Sequence, residues 1–462
     1  MTKGSKSNKL IILLTLDIGL FIYYIIRMPS MLSNQYYNMY VVNLISMVIM
    51  LTIFTVLCSS FPMDIFDPFV LTSAIYFMIF AICPLEDIIR GTTVVYNFDP
   101  VNGAVKGTII FLVSYISFVI GYCQKKKYCY YDYLDFDISC IKVNNLTNLI
   151  MIAFVLWGIG LAGTFVYLIG NGLSIRYILT LGMDSNSTVM QASGTPLGFI
   201  GMLTFTMITA CIYIVLFHRS KIIKTIVYAI TMICLLVRGF RSIIIILMVA
   251  PILYMYVRKG KRPGLLQIIF FLLCVILMIA VVGYFRNDLR TGGGISLDNF
   301  GFDVIYKTMA SNFRRYNIFY GMVDALPSRH DFTYGRNLLY TITMIVPRFF
   351  WPGKPQPVMR EILNVSTTEL IASTGAAWPN IGEYYMEFGV PGCIIFMYIL
   401  GRVFSRLRLY FNSEYTTTHS LMGYAVFFPS LVTIIAYGYT PSTAYMLLFL
   451  LIPVFTMRMA GC

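Results

Sequence analysis

Apolar runs of about twenty residues recur along this chain between short polar connections, and a run of that length matches one helical crossing of a bilayer. On this pattern the sequence predicts spans near 10–27, 40–58, 66–83, 107–123, 147–169, 196–217, 222–238, 242–257, 264–284, 388–405, 419–437 and 441–458. The alternation breaks once. Residues 285–387 hold no run long enough to span, yet carry ten basic and nine acidic side chains. The predicted organisation is a membrane domain over 1–284 with nine spans, an extracytoplasmic loop over 285–387, and a second membrane domain over 388–462 with three spans. The expected fold class is an all-α polytopic membrane protein of about 12 transmembrane helices, with one large outward-facing loop containing short helices.

Composition agrees, since 58% hydrophobic and only 12% charged residues exclude an ordinary soluble domain. The net charge of +14 does not point to nucleic acid, because the basic residues sit in the connections. One set of connections holds Lys125, Lys126, Lys127, Lys142, Arg219, Lys221, Lys224, Arg258, Lys259, Lys261, Arg262, Arg402, Arg406 and Arg408; the other holds only Arg27, Arg90, Lys106, Arg176, Arg238 and Arg241. The positive-inside rule then puts both termini in the cytoplasm and the long loop outside. The ten cysteines all lie outside 285–387, and no CxxC pair occurs, so neither a disulfide framework for the loop nor a zinc site is expected. Lys3, Lys6 and Lys9 precede an apolar run with no small-residue cleavage site, which reads as a retained first span.

Candidate chemistry gathers in the loop. In Val346-Pro347-Arg348-Phe349-Phe350-Trp351-Pro352-Gly353-Lys354-Pro355-Gln356-Pro357, the prolines exclude a regular helix and predict a rigid turned segment. Trp351 and its phenylalanine neighbours suit a membrane interface, while Arg348 and Lys354 offer charge to an anion. Arg286 and Arg290 follow the ninth span at headgroup depth, and Arg238 and Arg241 occupy the same depth between spans seven and eight. Guanidinium groups at that level suit a lipid-linked phosphate or pyrophosphate and would stabilise it as a leaving group. The candidate catalytic residues are Glu383, as the base for an attacking hydroxyl, with Arg348 and Arg286. Candidate contacts to pyrophosphate and glycan are Arg241, Arg238, Arg290, Arg314, Arg315, Arg336, Lys354, Trp351 and Arg176. No metal and no cofactor is expected. Glu387 and His330 are further candidates for the base, with a surface role favoured for His330.

Against these readings stands a plainer one, in which the loop arginines pair with its acids and solubilise a surface. Tyr316, Tyr320, Tyr334, Trp351, Trp378, Tyr384 and Tyr385 are available to stack on sugars, or form the loop's own core. Asp17, a rare acid in a span, reads as a partner of another helix, and Gly158, Gly160 and Gly163 as close helix packing. Asp135-Phe136-Asp137, beside Asp132, has the shape of a metal-nucleotide motif but reads as a solvated loop.

The Pro347 to Pro355 run, preceded by Gly335-Arg336-Asn337 and followed by Gly382-Glu383-Tyr384 and Glu387-Phe388-Gly389-Val390-Pro391-Gly392, resembles the oligosaccharide repeat-unit polymerases, the Wzy or O-antigen polymerase family. Gly239-Phe240-Arg241-Ser242 is similar to a Gly-x-Arg-Ser element of that family. The resemblance implies a metal-independent membrane glycosyltransferase with a helical fold of the O-antigen ligase type, in the bacterial inner membrane. Its substrate would be a polyprenyl-pyrophosphate-linked oligosaccharide; its partners would be membrane lipid and a chain-length regulator protein, with no nucleic acid. The alternatives are a lipid-linked oligosaccharide flippase and an O-antigen ligase.

Overall fold

The computed structural model describes residues 3–30, 32–60, 65–91, 100–124, 146–170, 200–237, 241–258, 277, 301, 310, 313–343, 346, 350–353, 378–411, 417–439 and 442–460, and every regular element among them is helical. In chain order these are α1 (Lys3–Ile26), α2 (Asn34–Ser60), α3 (Pro68–Phe77), a π-helical segment (Met78–Ile82), α4 (Cys83–Ile89), α5 (Pro100–Cys123), α6 (Leu146–Gly170), α7 (Thr204–Phe217), α8 (Lys221–Val237), α9 (Arg241–Arg258), α10 (Tyr316–Ala325), α11 (Arg336–Thr343), α12 (Asn380–Phe411), α13 (Thr418–Tyr437) and α14 (Ser442–Met459). Among the described residues, seven helices, counting Pro68–Ile89 as one, are long and apolar enough to cross a membrane, and three shorter apolar helices accompany them. Among the described residues the predicted spans overlap helices, several of them shorter than a full crossing, and the ninth lies outside the described residues apart from Leu277. The chain is a multi-pass membrane protein.

Three departures from the hydrophobic pattern shape the site. The third span was expected to end at 83 but runs on to Ile89. Pro84 lacks an amide hydrogen and would crowd the preceding turn of an α-helix; the π segment widens that turn, and the Cys83 amide donates to the Met78 carbonyl five residues back. Glu86 and Asp87 thereby ride on a helix.

The tenth span begins at Asn380 instead of 388 and is broken at Phe388 and Gly389, where Gly389 has φ 64°. The free carbonyls of the first half are taken by an outside segment. The Thr333 amide donates to the Met386 carbonyl at 2.9 Å and the Tyr334 amide to the Glu387 carbonyl at 3.0 Å. Backbone freed by a break is tolerated within a membrane protein when other groups satisfy it in this way.

The third departure lies within 285–387, where one helix is seated inside the bundle. α10 is buried in the bundle, with Tyr316, Phe319, Tyr320, Met322 and Val323 all inaccessible. Its seat is a glycine groove on α5. A Cβ on Gly103 would collide with the Tyr320 carbonyl, and one on Gly107 would lie 2.5 Å from the Tyr320 ring. The Tyr320 hydroxyl then bonds Asn43 on α2 and Thr108 on α5, each at 2.8 Å. Further along, Gly121 of α5 meets the Tyr398 backbone of α12, and Gly401 of α12 meets the Phe118 carbonyl. Small residues at such crossings let backbones approach and gain dispersion contacts that lipid cannot supply.

The same device joins α6 to α7, where Gly160 faces Met207 and Gly163 faces Ile200 and Leu203, although Gly158 faces open space. Asp17 accepts a 2.7 Å hydrogen bond from Thr55 of α2, the interhelical partner expected of it. Polar side chains sort to two ends of the bundle. At one end Asp67 caps α3 and accepts from the Tyr122 hydroxyl at 2.6 Å, near the Tyr213 and His419 pair at 3.0 Å. The other end holds Glu86, Asp87 and α10, together with the first turns of α12.

Candidate active site

The first turn of α12 carries Glu383, which is buried although it is a carboxylate. Its Oε2 accepts the Tyr439 amide hydrogen at 2.8 Å. That amide is available because α13 ends at Tyr437 and the chain turns through Gly438 at φ 76°. A side chain at 438 is excluded twice, since a Cβ there would also lie 2.8 Å from the Glu383 carboxyl carbon. The carboxylate is thus seated directly on the Gly438-Tyr439 backbone.

Around it lie hydroxyls and an amide. The Tyr384 and Tyr439 hydroxyls are 2.5 Å apart, and the Tyr76 hydroxyl donates to Asn380 Oδ1 at 2.8 Å. Burial pushes the Tyr439 phenol up to about 12, so it remains a neutral hydroxyl able to donate and accept. Asn380 also serves the Tyr384 and Tyr439 hydroxyls, whereas two buried donors, Trp378 Nε1 before α12 and Arg315 Nε before α10, make no hydrogen bond among the described residues. Arg315 stacks its guanidinium 4.6 Å from the centre of the Tyr437 ring, two residues before Tyr439. Buried donors are normally satisfied, so the Arg315 guanidinium, stacked on Tyr437 with a free Nε, is suited to an oxygen-rich ligand.

Arg314 has a different fate from its neighbour. Its Nη2 lies 2.6 Å and its Nε 2.8 Å from Asp87 Oδ1, while the Tyr316 hydroxyl donates to Oδ2 at 2.8 Å. Asp87 is wholly buried. Burial and the Asp87 charge hold the Tyr316 phenol well above its ordinary value, which keeps it a donor. The Arg314 guanidinium thus anchors α10 to α4. The neighbouring acid Glu86 pairs with Arg90 at 3.1 Å and Arg27 at 3.6 Å.

Glu387 is likewise engaged by the scaffold. It accepts from the Thr333 hydroxyl at 2.7 Å, the Gly335 amide at 2.5 Å and the Leu338 amide at 3.0 Å, so it caps the N-terminus of α11 instead of awaiting a substrate proton. Tyr334, at φ 45°, and Gly335, at φ 89°, turn the chain into that cap. His330 contacts the carbonyl of Asp331 on the surface, in line with its expected surface role. Of the proposed stacking residues, Tyr316, Tyr320, Trp378 and Tyr385 are packed in the core and present no face to a sugar. Tyr334 and Trp351 are exposed, and Arg336 opens α11 at the surface.

Arg241 opens α9. Arg348, Arg286, Arg238, Arg290, Lys354 and Arg176 lie outside the described residues, as do Asp132, Asp135 and Asp137. Among the described residues no group of three His, Cys, Asp or Glu side chains converges as a metal site would require. Sequence reasoning singled out Glu383 but not Gly438 and Tyr439, which hold it, nor Asp87, which pairs with Arg314. A glycine directly after a span marks a helix end, and that was the available signal for Gly438. Two acids after Pro84 carried no comparable signal.

No curated protein and no solved structure matches the chain. Against known families, residues 10–459 match the one described as O-antigen polysaccharide polymerase Wzy. That match takes in every spanning helix and the cluster around Glu383, and the chain belongs to the O-antigen polysaccharide polymerase Wzy family.

Proposed function

We propose that this polymerase joins polyprenyl-pyrophosphate-linked oligosaccharide units on the outer face of the bacterial inner membrane, with Glu383 as the base. In the reaction an acceptor sugar hydroxyl of the incoming unit attacks the anomeric carbon of the growing chain. The new glycosidic C–O bond forms as the bond from that carbon to pyrophosphate oxygen breaks. Polyprenyl pyrophosphate departs with the bonding pair, and the hydroxyl proton passes to Glu383. Arginine side chains balance the charge that gathers on the leaving group, which makes a divalent metal unnecessary. Arg315 is the described candidate for this duty, with Arg348, Arg286, Arg241, Arg238, Arg290, Arg336, Lys354 and Arg176 as proposed companions. Trp351 lies on the glycan path, and a separate chain-length regulator would set when transfer stops.

The observation that carries this reading is the seating of Glu383. It is a buried carboxylate fixed by the Tyr439 backbone amide, and the residue that supplies that amide shares a 2.5 Å hydroxyl contact with Tyr384, the next residue after Glu383. Such a site supplies one proton acceptor and several contacts for oxygens, as an activated hydroxyl and a departing phosphate together need.

The test is a product assay with purified protein in lipid vesicles and a polyprenyl-pyrophosphate repeat unit, resolved by chain length. Wild type is expected to give a ladder with or without EDTA. Glu383→Gln and Arg315→Ala, both still folded, are expected to give none, and Arg348→Lys to rescue Arg348→Ala poorly because ammonium cannot grip phosphate in bidentate fashion. An undiminished ladder from Glu383→Gln would remove it as the base. Loss of the ladder on chelation would overturn the metal-independent mechanism.

A further inference from the structure

α11 is built inside out. Its polar residue Asn337 is only 4% exposed and Tyr340 5%, whereas Leu338 is 47%, Leu339 53% and Ile342 69% exposed. An eight-residue helix that hides an asparagine and displays two leucines and an isoleucine makes no sense against water, where such a patch would have to be covered. Against lipid it is the ordinary arrangement. The pattern continues past the helix, with Val346 38%, Phe350 75% and Trp351 43% exposed.

Two contacts fix where this face lies. Glu387, at the break of α12, holds the α11 N-terminus through the Gly335 and Leu338 amides. Toward the other end, the Tyr445 hydroxyl in the first turn of α14 donates to the Thr341 carbonyl at 3.1 Å. α11 is therefore strapped across the ends of two membrane helices. The surfaces of those helices below it are apolar and exposed too, through Phe388, Val390, Ile394 and Ile395 on α12 and Leu448 on α14. The displayed face of α11 continues that lipid-facing surface.

We propose that α11 lies in the plane of the membrane, with Leu338, Leu339 and Ile342 sunk into the acyl chains of the leaflet on the Glu383 side, and that its occupant is bulk membrane lipid. Phe350 and Trp351 then sit at the headgroup boundary that aromatic residues favour. Arg336, at the first position of α11, is held at phosphate depth. The arrangement sets the height of Phe350 and Trp351 relative to the bilayer. It rests on the membrane architecture and not on the transfer chemistry, so its failure would leave the polymerase reading intact.

The experiment places an indole on this face by Ile342→Trp in a Trp351→Phe background, with the protein reconstituted in phosphatidylcholine vesicles. Lipids brominated near the carbonyl end or near the methyl end of the chain, and aqueous iodide, serve as quenchers. The added emission, taken as the difference from Trp351→Phe alone, is expected to be blue-shifted. It should be quenched most by bromine near the carbonyl end, less by bromine near the methyl end, and hardly by iodide. Leu338→Trp, one helical turn earlier, should give the same ranking and serves if the first variant fails to fold. Red-shifted emission quenched by iodide alone would overturn the proposal. So would protection from every quencher, whether relieved by diluting the protein in lipid, which would mean a second copy covers the face, or persistent, which would mean the chain itself covers it.

Discussion

The pairing of Asp87 with Arg314 makes a prediction that separates scaffold from substrate site. Asp87→Leu removes a wholly buried carboxylate that receives two guanidinium contacts, at 2.6 and 2.8 Å, and a tyrosine hydroxyl at 2.8 Å. What remains is a mostly buried guanidinium that has lost its Asp87 contacts and a phenol without its acceptor. Breaking a buried pair from one side costs about 3 to 5 kcal/mol. At about 1.4 kcal/mol per tenfold change, that is two to three and a half orders of magnitude in the folded population. Because α10 is seated through this pair, the cost should appear as loss of monodisperse protein on heating in detergent, followed by size-exclusion chromatography. Arg314→Met alone should also destabilise, since it removes both guanidinium contacts from the buried Asp87 carboxylate. The double variant Asp87→Leu with Arg314→Met removes both charges and fills the space with apolar atoms, so it should recover most of the stability. It should also polymerise normally in the ladder assay. A double variant that folds as well as wild type yet makes no polymer would refute the reasoning, because Arg314 would then have a duty beyond holding α10.

Gly438→Ala is expected to abolish the ladder while leaving the protein inserted, since a Cβ would press on the Glu383 carboxyl carbon and strain a left-handed backbone by about 1 kcal/mol or more; normal polymer length would show that the seating of Glu383 is dispensable. Glu387→Ala removes three accepted hydrogen bonds at the start of α11 and should expose the segment around Arg336 to trypsin, a change seen by limited proteolysis; unchanged cleavage would argue against the cap. The pH prediction follows from Tyr439, whose phenol is raised to about 12 from an ordinary value near 10. Its contribution to stability is complete below pH 10 and declines as pH rises from 10 toward 12, because the unfolded chain ionises first. Tyr439→Phe should therefore flatten alkaline unfolding in that window relative to wild type, as followed by tryptophan fluorescence.

The spanning helices were legible because hydrophobicity over twenty residues is a strong signal that tertiary context seldom overrides. Residues 84–89 were not, because Pro84 and two acids look like the end of a span unless a π turn makes room for the proline. α10 was hidden for another reason. Tyr316-Asn317-Ile318-Phe319-Tyr320-Gly321 sits between arginines and carries polar atoms, so it reads as surface until Asn43, Thr108 and Asp87 are seen to satisfy those hydroxyls. The candidate site was half legible. Glu383 stood out as an acid beside a span, but its partners come from a turn after a different helix, and two adjacent arginines with opposite fates cannot be told apart without knowing which one meets Asp87.

The glycine seam on α5 bears on how the protein is made. Gly103 and Gly107 wait for Tyr320, and Gly121 waits for Tyr398, both of which leave the ribosome long after α5 has entered the bilayer. Until then α5 has bare backbone grooves toward both ends, each fitted to a partner not yet synthesised. Insertion and packing are consequently separate events here, and a nascent chain arrested before α12 would hold its helices in the membrane without the contacts that fix them. Cellular quality control would recognise that interval as an incomplete protein.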